Sequence, residues 1–273
     1  MSKASDLQNF FSRHPVFTYD EFKAGCYVEG ERSQRTVDSL LAYYVKVNRI
    51  IRIRRELFAV IAPGTDPAST PIDPYLVASK MAPDTVLGYH TALEFHGKAY
   101  SVHNRFFLLT SHAVRKFRLR GWDFVSVMHP KPLRDTAMES SGVVSGERMG
   151  VTIHLTSLER TFVDVLDKPN LGGGWEEVWR SVESIEYFDL DEVLMYALLM
   201  RKATTISKVG YFLELHRDRL FVKDDILERL RMHRPREPHY LDRANSKGKS
   251  RLISGWNLVV PDSLIEREWE EIS

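Results

Sequence analysis

The residues best suited to chemistry in this chain are basic side chains concentrated in one short segment. Between residues 32 and 55 the sequence holds seven lysines and arginines and a single acid, Asp38. The basic residues are Arg32, Arg35, Lys46, Arg49, Arg52, Arg54 and Arg55. The chain of 273 residues carries a formal net charge of only +1, so this local excess of positive charge marks one surface for a polyanion. The chemistry expected there is recognition of phosphates and base edges.

The spacing of apolar residues predicts an amphipathic helix in the first half of this segment. Five apolar side chains recur at helical spacing and would form one buried stripe. They are Val37, Leu40, Leu41, Tyr44 and Val45. Ser33 is a suitable N-cap, so Gln34 and Arg35 should project from the N-terminal end. In a helix-turn-helix protein, that end of the recognition helix meets the bases.

A basic β-hairpin is predicted directly after this helix, which Asn48 can stop. Isoleucine and arginine alternate over residues 51–54, and a second run with strand periodicity covers residues 58–61. Period-two alternation on both sides of Arg55-Glu56 predicts a hairpin with one apolar and one basic face. Arg52 and Arg54 are therefore expected to share the outward face of one strand. A helix followed by a basic hairpin is the element order of a winged helix.

Two shorter helices are expected upstream. The first contains Phe10 and Phe11 and ends near His14-Pro15, because proline disfavours helical backbone in the residue before it. Thr18 caps the second, with Glu21 as its capping-box partner. We interpret residues 1–62 as a winged-helix DNA-binding domain. Its predicted DNA contacts are Arg32, Ser33, Gln34, Arg35, Lys46, Arg49, Arg52, Arg54 and Arg55.

Length and composition bound the remaining possibilities. A chain of 273 residues with 43% hydrophobic and 27% charged residues is typical of a globular protein with about two domains. The longest apolar run, residues 193–200, is too short to cross a bilayer, and residues 1–11 lack a signal-peptide core. A single cysteine, Cys26, excludes an internal disulfide and suits a reducing compartment. We therefore expect a cytoplasmic protein without a membrane partner.

The segment at residues 63–74 contains four of the twelve prolines and is predicted to be a semi-rigid linker or an irregular connector. Residues 75–273 are predicted to form a larger mixed domain, with strands grouped before a helical C-terminal half. This grouping predicts an α+β fold rather than a parallel, doubly wound sheet. Helices are expected over residues 73–81, 86–96, 157–167, 175–186, 189–201, 205–217 and 224–232, and strands over 105–110, 116–119, 122–128, 151–155 and 250–260.

The histidines and glycines of this second part lack the spacing of a metal or phosphate motif. His90 and His96 are six residues apart, which turns them away from each other around a helix, so they are not expected to share a metal. The glycine run at residues 172–174 has no lysine followed by serine or threonine. It is interpreted as a flexible break between helices rather than as a phosphate loop. No metal or cofactor is expected.

The densest polar group of the second part comprises Ser157, Glu159, Arg160 and Asp164. Arg160 and Asp164 lie one helical turn apart and can pair, so a structural ion pair is expected, with a catalytic carboxylate as the alternative. Two further basic stretches, residues 115–134 and 229–251, are interpreted as solvated faces that leave room for a larger anionic partner.

Several segments, taken in order, resemble the AbiEi antitoxins of type IV toxin–antitoxin systems, which act in abortive infection. The family motifs correspond here to residues 54–60 (RRELFAV), 88–97 (GYHTALEFHG), 159–164 (ERTFVD), 172–173 (GG), 209–214 (VGYFLE), 240–242 (YLD) and 256–261 (WNLVVP). These segments span almost the full chain. One position departs from the family: Glu56 stands where the tip of the wing usually has glycine. A residue with a side chain must accept strain there or use another turn, and the acid weakens the positive charge of the wing.

The resemblance implies a repressor that binds repeated sequences in its own promoter and counteracts a nucleotidyltransferase toxin. It also implies that the second domain neutralises the toxin without catalytic residues of its own and without a stable complex. Two alternatives remain open from the residues. One is a metal-dependent nuclease that the winged helix targets to DNA, and the other is a ligand-responsive transcriptional regulator.

Overall fold

A computed structural model describes residues 3–25, 34–242 and 248–266 of the protein. The chain divides into two compact units. The first comprises Met1–Val86, Asn104–Ser126 and Ser145–His154, and the second comprises Leu87–His103, Val127–Val144 and Leu155–Ser273. The first unit therefore contains residues 1–62, the segment 63–74 and part of the region that follows them.

The N-terminal part of the first unit consists of three helices and a three-stranded antiparallel sheet. Its elements are α1 (Lys3–Arg13), β1 (Val16–Thr18), α2 (Tyr19–Gly25), α3 (Gln34–Lys46), β2 (Ile50–Arg54) and β3 (Leu57–Val60). The strand order is β1-β3-β2. The predicted helices and hairpin are all present, because each has a strong local pattern of apolar spacing.

Local capping explains where several of these elements begin and end. Helix α1 ends at Arg13, two residues before Pro15, as predicted. The Glu21 amide donates to the Thr18 hydroxyl at 3.2 Å and the Thr18 amide donates to the Glu21 carboxylate at 2.7 Å, so the predicted capping box forms. Asn48 has a φ of 54°, a left-handed conformation that stops α3.

The rest of the first unit contains most residues of a six-stranded mixed sheet. Its strands are β4 (Val86–Leu87), β5 (Arg105–Leu109), β6 (Phe117–Leu119), β7 (Trp122–Val127), β8 (Val143–Arg148) and β9 (Val151–Thr156). They lie in the order β6-β7-β5-β4-β9-β8. Helix α4 (Pro74–Ser79) precedes the sheet, and the Asp73 carboxylate caps it by accepting from the Leu76 amide.

The predicted helix over residues 86–96 is wrong in its first half. Val86 and Leu87 form β4, where Leu87 pairs with Leu155, and the helix α5 (His90–Phe95) begins only after Tyr89. Tyr89 has a φ of 54°, which breaks the helical path. Asp84 does not cap a helix; its carboxylate accepts from the Thr110 hydroxyl and the Ser111 amide instead. Sheet pairing with a distant strand overrides the local helical pattern here.

The segment at residues 63–74 is an irregular connector held within the first unit. Its turns are organised by Asp66, whose carbonyl accepts from the Thr70 amide at 2.9 Å. Thr70 is buried, and the Arg120 guanidinium donates to the carbonyl oxygens of Pro67 and Thr70. The prolines restrict the backbone of the connector, and the hydrogen bonds from Arg120 attach it to the turn of the β6–β7 hairpin.

The second unit is mostly helical. Besides α5 it contains α6 (Lys131–Asp135), α7 (Leu158–Asp167), α8 (Trp175–Glu183), α9 (Leu190–Leu199), α10 (Ala203–Leu215), α11 (Asp224–Arg231) and α12 (Asp262–Ile265), with strands β10 (His239–Tyr240), β11 (Ser250–Ile253) and β12 (Leu258–Pro261). Its small sheet has the order β10-β12-β11. The side chains of Ser157 and Asp189 cap α7 and α9, at the positions where the helices over residues 157–167 and 189–201 are predicted to begin. The predicted α+β class with a helical C-terminal half is confirmed. No helix in residues 3–25, 34–242 or 248–266 combines the length and apolarity that crossing a membrane requires.

Candidate nucleic-acid interface

An aromatic core fixes the orientation of helix α3. Eight buried side chains form this core: Phe10, Phe11, Phe17, Phe22, Val37, Leu41, Ile50 and Phe58. Val37 and Leu41 are the residues by which α3 enters it, with Leu40 and Tyr44 packed at its edge. Val45, the fifth member of the predicted stripe, is 37% exposed. Burial of one side of α3 leaves the opposite side and the first turn facing solvent.

The first turn of α3 presents polar side chains. Gln34, Arg35 and Thr36 are all exposed. The Gln34 side-chain amide donates to the Tyr19 hydroxyl, which ties the start of α3 to the start of α2. Arg35 extends from the same turn, one residue further on. Arg32 and Ser33 were also predicted to contact DNA, but they lie outside the described residues, as does Cys26.

The two basic residues that follow have different surroundings. Lys46 is exposed in the last turn of α3. Arg49 is half-buried and packs back on α1: its guanidinium donates to the Gln8 side chain at 2.9 Å and lies 5.8 Å from the centre of the Phe11 ring. Lys46 is therefore available to a polyanion, whereas Arg49 already connects α3 and β2 to α1.

The expectation that Arg52 and Arg54 share one outward face is wrong. Arg52 pairs with Phe58 and Arg54 with Leu57, so the register shifts between the two arginines and a β-bulge inserts Ile53. Since directly opposed residues lie on the same face, and Leu57 and Phe58 lie on opposite faces, the two arginines also point in opposite directions.

The surroundings of the two arginines agree with this register. Arg52 is exposed. Arg54 is half-buried, its guanidinium donates to the Met81 sulfur at 3.3 Å and it lies 6.0 Å from the centre of the Phe117 ring. Only Arg52 of the pair is therefore presented to solvent, while Arg54 holds the hairpin to the rest of the first unit.

The tip of the hairpin carries an ion pair and a strained residue. Arg55 and Glu56 lie 3.3 Å apart, with side chains 86% and 64% exposed. Glu56 has a φ of 61°, the left-handed region that glycine adopts without steric cost. Glu56 therefore adopts the strained backbone conformation that glycine would favour, rather than a different turn.

Replacing Glu56 with glycine should raise the free energy of unfolding by roughly 0.5 to 1 kcal/mol, because relief of left-handed strain exceeds the added entropy of the unfolded chain. The measurement is the midpoint of urea unfolding. Glu56→Ala is the matched control: it removes the same charge but keeps the Cβ, so it should not stabilise. Equal stabilisation by both variants would assign the effect to charge instead.

A polar cavity of about 480 Å³ lies beside the hairpin tip in the first unit. Its lining includes Glu21, Arg54, Glu56, Lys80 and His154. Lys80 and Glu21 form an ion pair across it, with the lysine side chain only 10% exposed. Burial raises the pKa of Glu21, but the Lys80 ammonium and the Thr18 groups outweigh burial and hold that pKa below its usual value. The Glu21 carboxylate therefore stays ionised, and its contact with Lys80 joins α2 to the segment after α4.

The polar group of the second unit is a buried network. Arg160 and Asp164 pair at 3.4 Å with both side chains at most 1% exposed, so the predicted structural ion pair is present. Glu159 is separate from it and accepts a hydrogen bond from the Asp189 amide at 3.2 Å. His96 contacts the Thr156 carbonyl oxygen at 2.8 Å, away from His90.

Many arginines of the other two basic stretches are engaged within the protein. In the 115–134 stretch, Arg118 pairs with Asp123 and Arg134 donates to the His129 carbonyl oxygen. In the 229–251 stretch, Arg231 pairs with Glu214, and Arg234 donates to the Gly255 carbonyl oxygen. Arg251 pairs with both Asp262 and Glu266. The arginines of these two stretches therefore have partly structural roles. The exposed lysine and arginine side chains of residues 35–55 remain the better candidate for a surface that binds a polyanion.

Comparison with known proteins gives a fold relationship. The chain is similar to the crystal structure of the RV2827C protein from Mycobacterium tuberculosis, with a TM-score of 0.58 and 16% sequence identity over 98% of this chain and 94% of that one. No protein-family model and no curated protein sequence matches the chain. At this level of identity the likeness concerns the fold, which the two proteins share over nearly their whole lengths.

Proposed function

We propose that the protein is a cytoplasmic transcriptional repressor that binds double-stranded promoter DNA through an N-terminal winged helix. Support comes from the element order of α1, β1, α2, α3, β2 and β3 around one aromatic core. In this arrangement α2 and α3 are the helix-turn-helix pair and β2–β3 is the wing. An α-helix of this kind fits the major groove of B-DNA, where each base pair has its own pattern of donors and acceptors.

The observation that carries the proposal is the exposure pattern of the basic segment. The first turn of α3 is polar and exposed, and the cations Lys46, Arg52 and Arg55 are exposed on α3 and the hairpin. In the proposal Arg35 reads bases and these three cations contact phosphates, which position the protein without reading sequence. Arg49 and Arg54 are assigned to the scaffold, because each already contacts a neighbouring element.

The first test is direct readout by Arg35. Loss of a bidentate contact to a base should cost about 1 to 3 kcal/mol of binding free energy and relax specificity at one position. Titrations of Arg35→Ala with promoter DNA and scrambled DNA should give a reduced preference for the promoter. Lys116→Ala removes one exposed charge elsewhere in the first unit and should keep the preference. A wild-type protein that binds both DNAs equally, or an Arg35→Ala variant with full discrimination, would contradict the proposal.

The second test separates the two arginines of the wing strand. Arg52→Ala should weaken binding to all sequences alike and reduce the slope of log affinity against log salt by about one, since one phosphate contact is lost. Arg54→Ala should leave that slope nearly unchanged and lower stability instead, because its guanidinium packs on Met81 and Phe117. Binding at several salt concentrations measures both slopes. An unchanged slope for Arg52→Ala would mean that the wing does not contact DNA.

The antitoxin part of the proposal rests on the resemblance of the segments between residues 54 and 261. We propose that residues 75–273 counteract a nucleotidyltransferase toxin encoded next to this protein, without catalytic residues or a cofactor. The experiment is growth rescue of cells that express the adjacent nucleotidyltransferase, with full-length protein and with Arg35→Ala. Rescue by both proteins would show that neutralisation does not depend on DNA binding. If neither protein rescues growth, the antitoxin assignment is wrong.

One observation favours a ligand-responsive regulator as a second candidate. The cavity of about 480 Å³ touches the wing tip and the start of α2, and Arg54 and Lys80 line it. A small anion bound there would compete with Glu21 for Lys80. The test is whether promoter affinity changes with small phosphorylated or carboxylated compounds in wild type but not in Lys80→Met.

A further inference from the structure

Two histidines and a glutamate from three separate segments meet inside the second unit. His90 begins α5, His103 lies in the loop after α5, and Glu177 belongs to α8. One ligand atom from each side chain lies within 4.8 Å of the others. The His90 and His103 rings stack with centres 3.8 Å apart and planes only 4° apart, and His90 Nε2 lies 3.2 Å from Glu177 Oε1.

We propose that His90, His103 and Glu177 form a binding site for a divalent transition-metal ion of the zinc type. Two imidazoles and one carboxylate are a ligand set that zinc uses in proteins. Metal–ligand distances of about 2.0 to 2.1 Å place neighbouring ligands of a tetrahedron roughly 3.3 Å apart. The distance of 3.2 Å between His90 Nε2 and Glu177 Oε1 matches that edge. The fourth position would hold a water molecule.

The second nitrogen of His90 supports the same assignment. The His90 side chain is fully buried, and its Nδ1 has no hydrogen-bond partner among the residues that the structure describes. The carboxylate of Glu94, one turn along α5, lies 3.7 Å from this nitrogen. When Nε2 binds a metal, the ring proton belongs on Nδ1, where Glu94 can accept it. Metal-bound histidines in proteins commonly donate their other N–H to a carboxylate in this way.

Hydrogen bonds from Ser101 hold the carboxylate of Glu177 in place. The Ser101 amide and hydroxyl donate to its two oxygens at 2.9 and 2.6 Å. These two hydrogen bonds fix the orientation of the Glu177 carboxylate, as outer hydrogen bonds commonly do for carboxylates that bind a metal.

The glycine run at residues 172–174 makes room for this cluster. A Cβ on Gly173 would lie 2.7 Å from His103 Cε1 and 2.6 Å from Glu177 Cγ, and Gly173 has a φ of 98°. The earlier interpretation of the run as a flexible break is therefore incomplete, because Gly173 permits a close approach of side chains to the backbone.

Binding requires one change in the cluster. The lone pair of an imidazole nitrogen lies in the plane of its ring, so two parallel rings cannot both point at one ion. His103 is the half-buried member of the three, and it must turn out of the stack. The bound ion would then tie the loop containing His103 to α5 and α8, which makes it a clasp within the second unit and independent of the DNA-binding proposal.

The experiment uses untagged full-length protein, freed of metal with a chelator and then desalted. Zinc is titrated in competition with a chromophoric chelator, and thermal unfolding is recorded with and without zinc. We expect one equivalent to bind and the melting temperature to rise, because a ligand that binds only the folded state stabilises it. His103→Gln and Glu177→Gln should each weaken affinity by more than about tenfold, since even residues that only orient a ligand have effects of that size.

Two controls keep the test decisive. His112→Gln replaces an exposed histidine that lies beside Asp84 in the first unit, and it should bind zinc like the wild type. Glu94→Gln should weaken binding through His90 alone, while circular dichroism of the zinc-free variants reports whether each still folds. Weak binding at several sites that His103→Gln does not change, or no rise in melting temperature with zinc, would overturn the proposal.

Discussion

Replacing Asp164 with alanine should lower the free energy of unfolding by about 3 to 5 kcal/mol, because it leaves a buried charge without its partner. Arg160 is fully buried, and its guanidinium also donates to the carbonyl oxygens of Glu139 and Ser141 at 2.8 and 2.7 Å. The Tyr196 hydroxyl donates to the second oxygen of Asp164 at 2.9 Å and would lose its acceptor. Urea unfolding of both proteins gives the difference.

Two further variants distinguish a structural role of Asp164 from a catalytic one. Glu159→Ala removes a half-buried carboxylate that accepts one hydrogen bond, from the Asp189 amide at the start of α9. This substitution should lower the free energy of unfolding by about 1 kcal/mol or less. The paired change Arg160→Met with Asp164→Leu should recover part of the loss, since apolar pairs can replace buried ion pairs. If residues 75–273 neutralise a toxin as proposed, that activity should fall in proportion to stability. An Asp164 variant with unchanged stability and no neutralisation would instead indicate chemistry at this carboxylate.

Replacing Trp256 with alanine should lower the free energy of unfolding by about 3 to 5 kcal/mol, the range for removing a large aromatic side chain from a core. The indole is fully buried, and its Nε1 donates to the Glu214 carboxylate at 2.6 Å. The Arg231 guanidinium lies 5.1 Å from the ring centre. Thermal or urea unfolding measures the loss, and Trp256→Phe, which keeps much of the apolar contact, should lose less.

Gly210 supplies a reciprocal test of this contact. A Cβ at position 210 would lie 2.2 Å from two carbons of the Trp256 ring, so Gly210→Ala should destabilise the wild type by about 1 to 3 kcal/mol through overpacking. In the Trp256→Ala background the same change fills empty space and replaces glycine with a residue of higher helix propensity. It should then leave the free energy of unfolding unchanged or raise it by up to about 1 kcal/mol. A double-mutant cycle gives the coupling. Additive effects would show that the two residues do not share a contact.

The N-terminal architecture follows from local sequence patterns. Apolar residues at helical spacing, the Thr18–Glu21 capping box and alternation on both sides of Arg55-Glu56 predict helices and a hairpin that the structure contains. The starts of α7 and α9 beside Ser157 and Asp189 and the pairing of Arg160 with Asp164 were also predicted from the sequence. Each of these features depends on residues within one or two turns of each other, which is the distance over which sequence spacing determines geometry.

Only the tertiary structure decided how distant segments combine. Val86 and Leu87 form a strand because a remote strand pairs with them, and a bulge that alternation does not reveal sends Arg52 and Arg54 to opposite faces. The meeting of His90, His103 and Glu177 joins residues up to 87 positions apart. Sequence spacing within one element carries no information on such meetings. They arise from burial of apolar faces and from backbone pairing across the whole fold. The helices and the hairpin that contain the candidate DNA contacts could therefore be predicted from the sequence, whereas the candidate metal site could not.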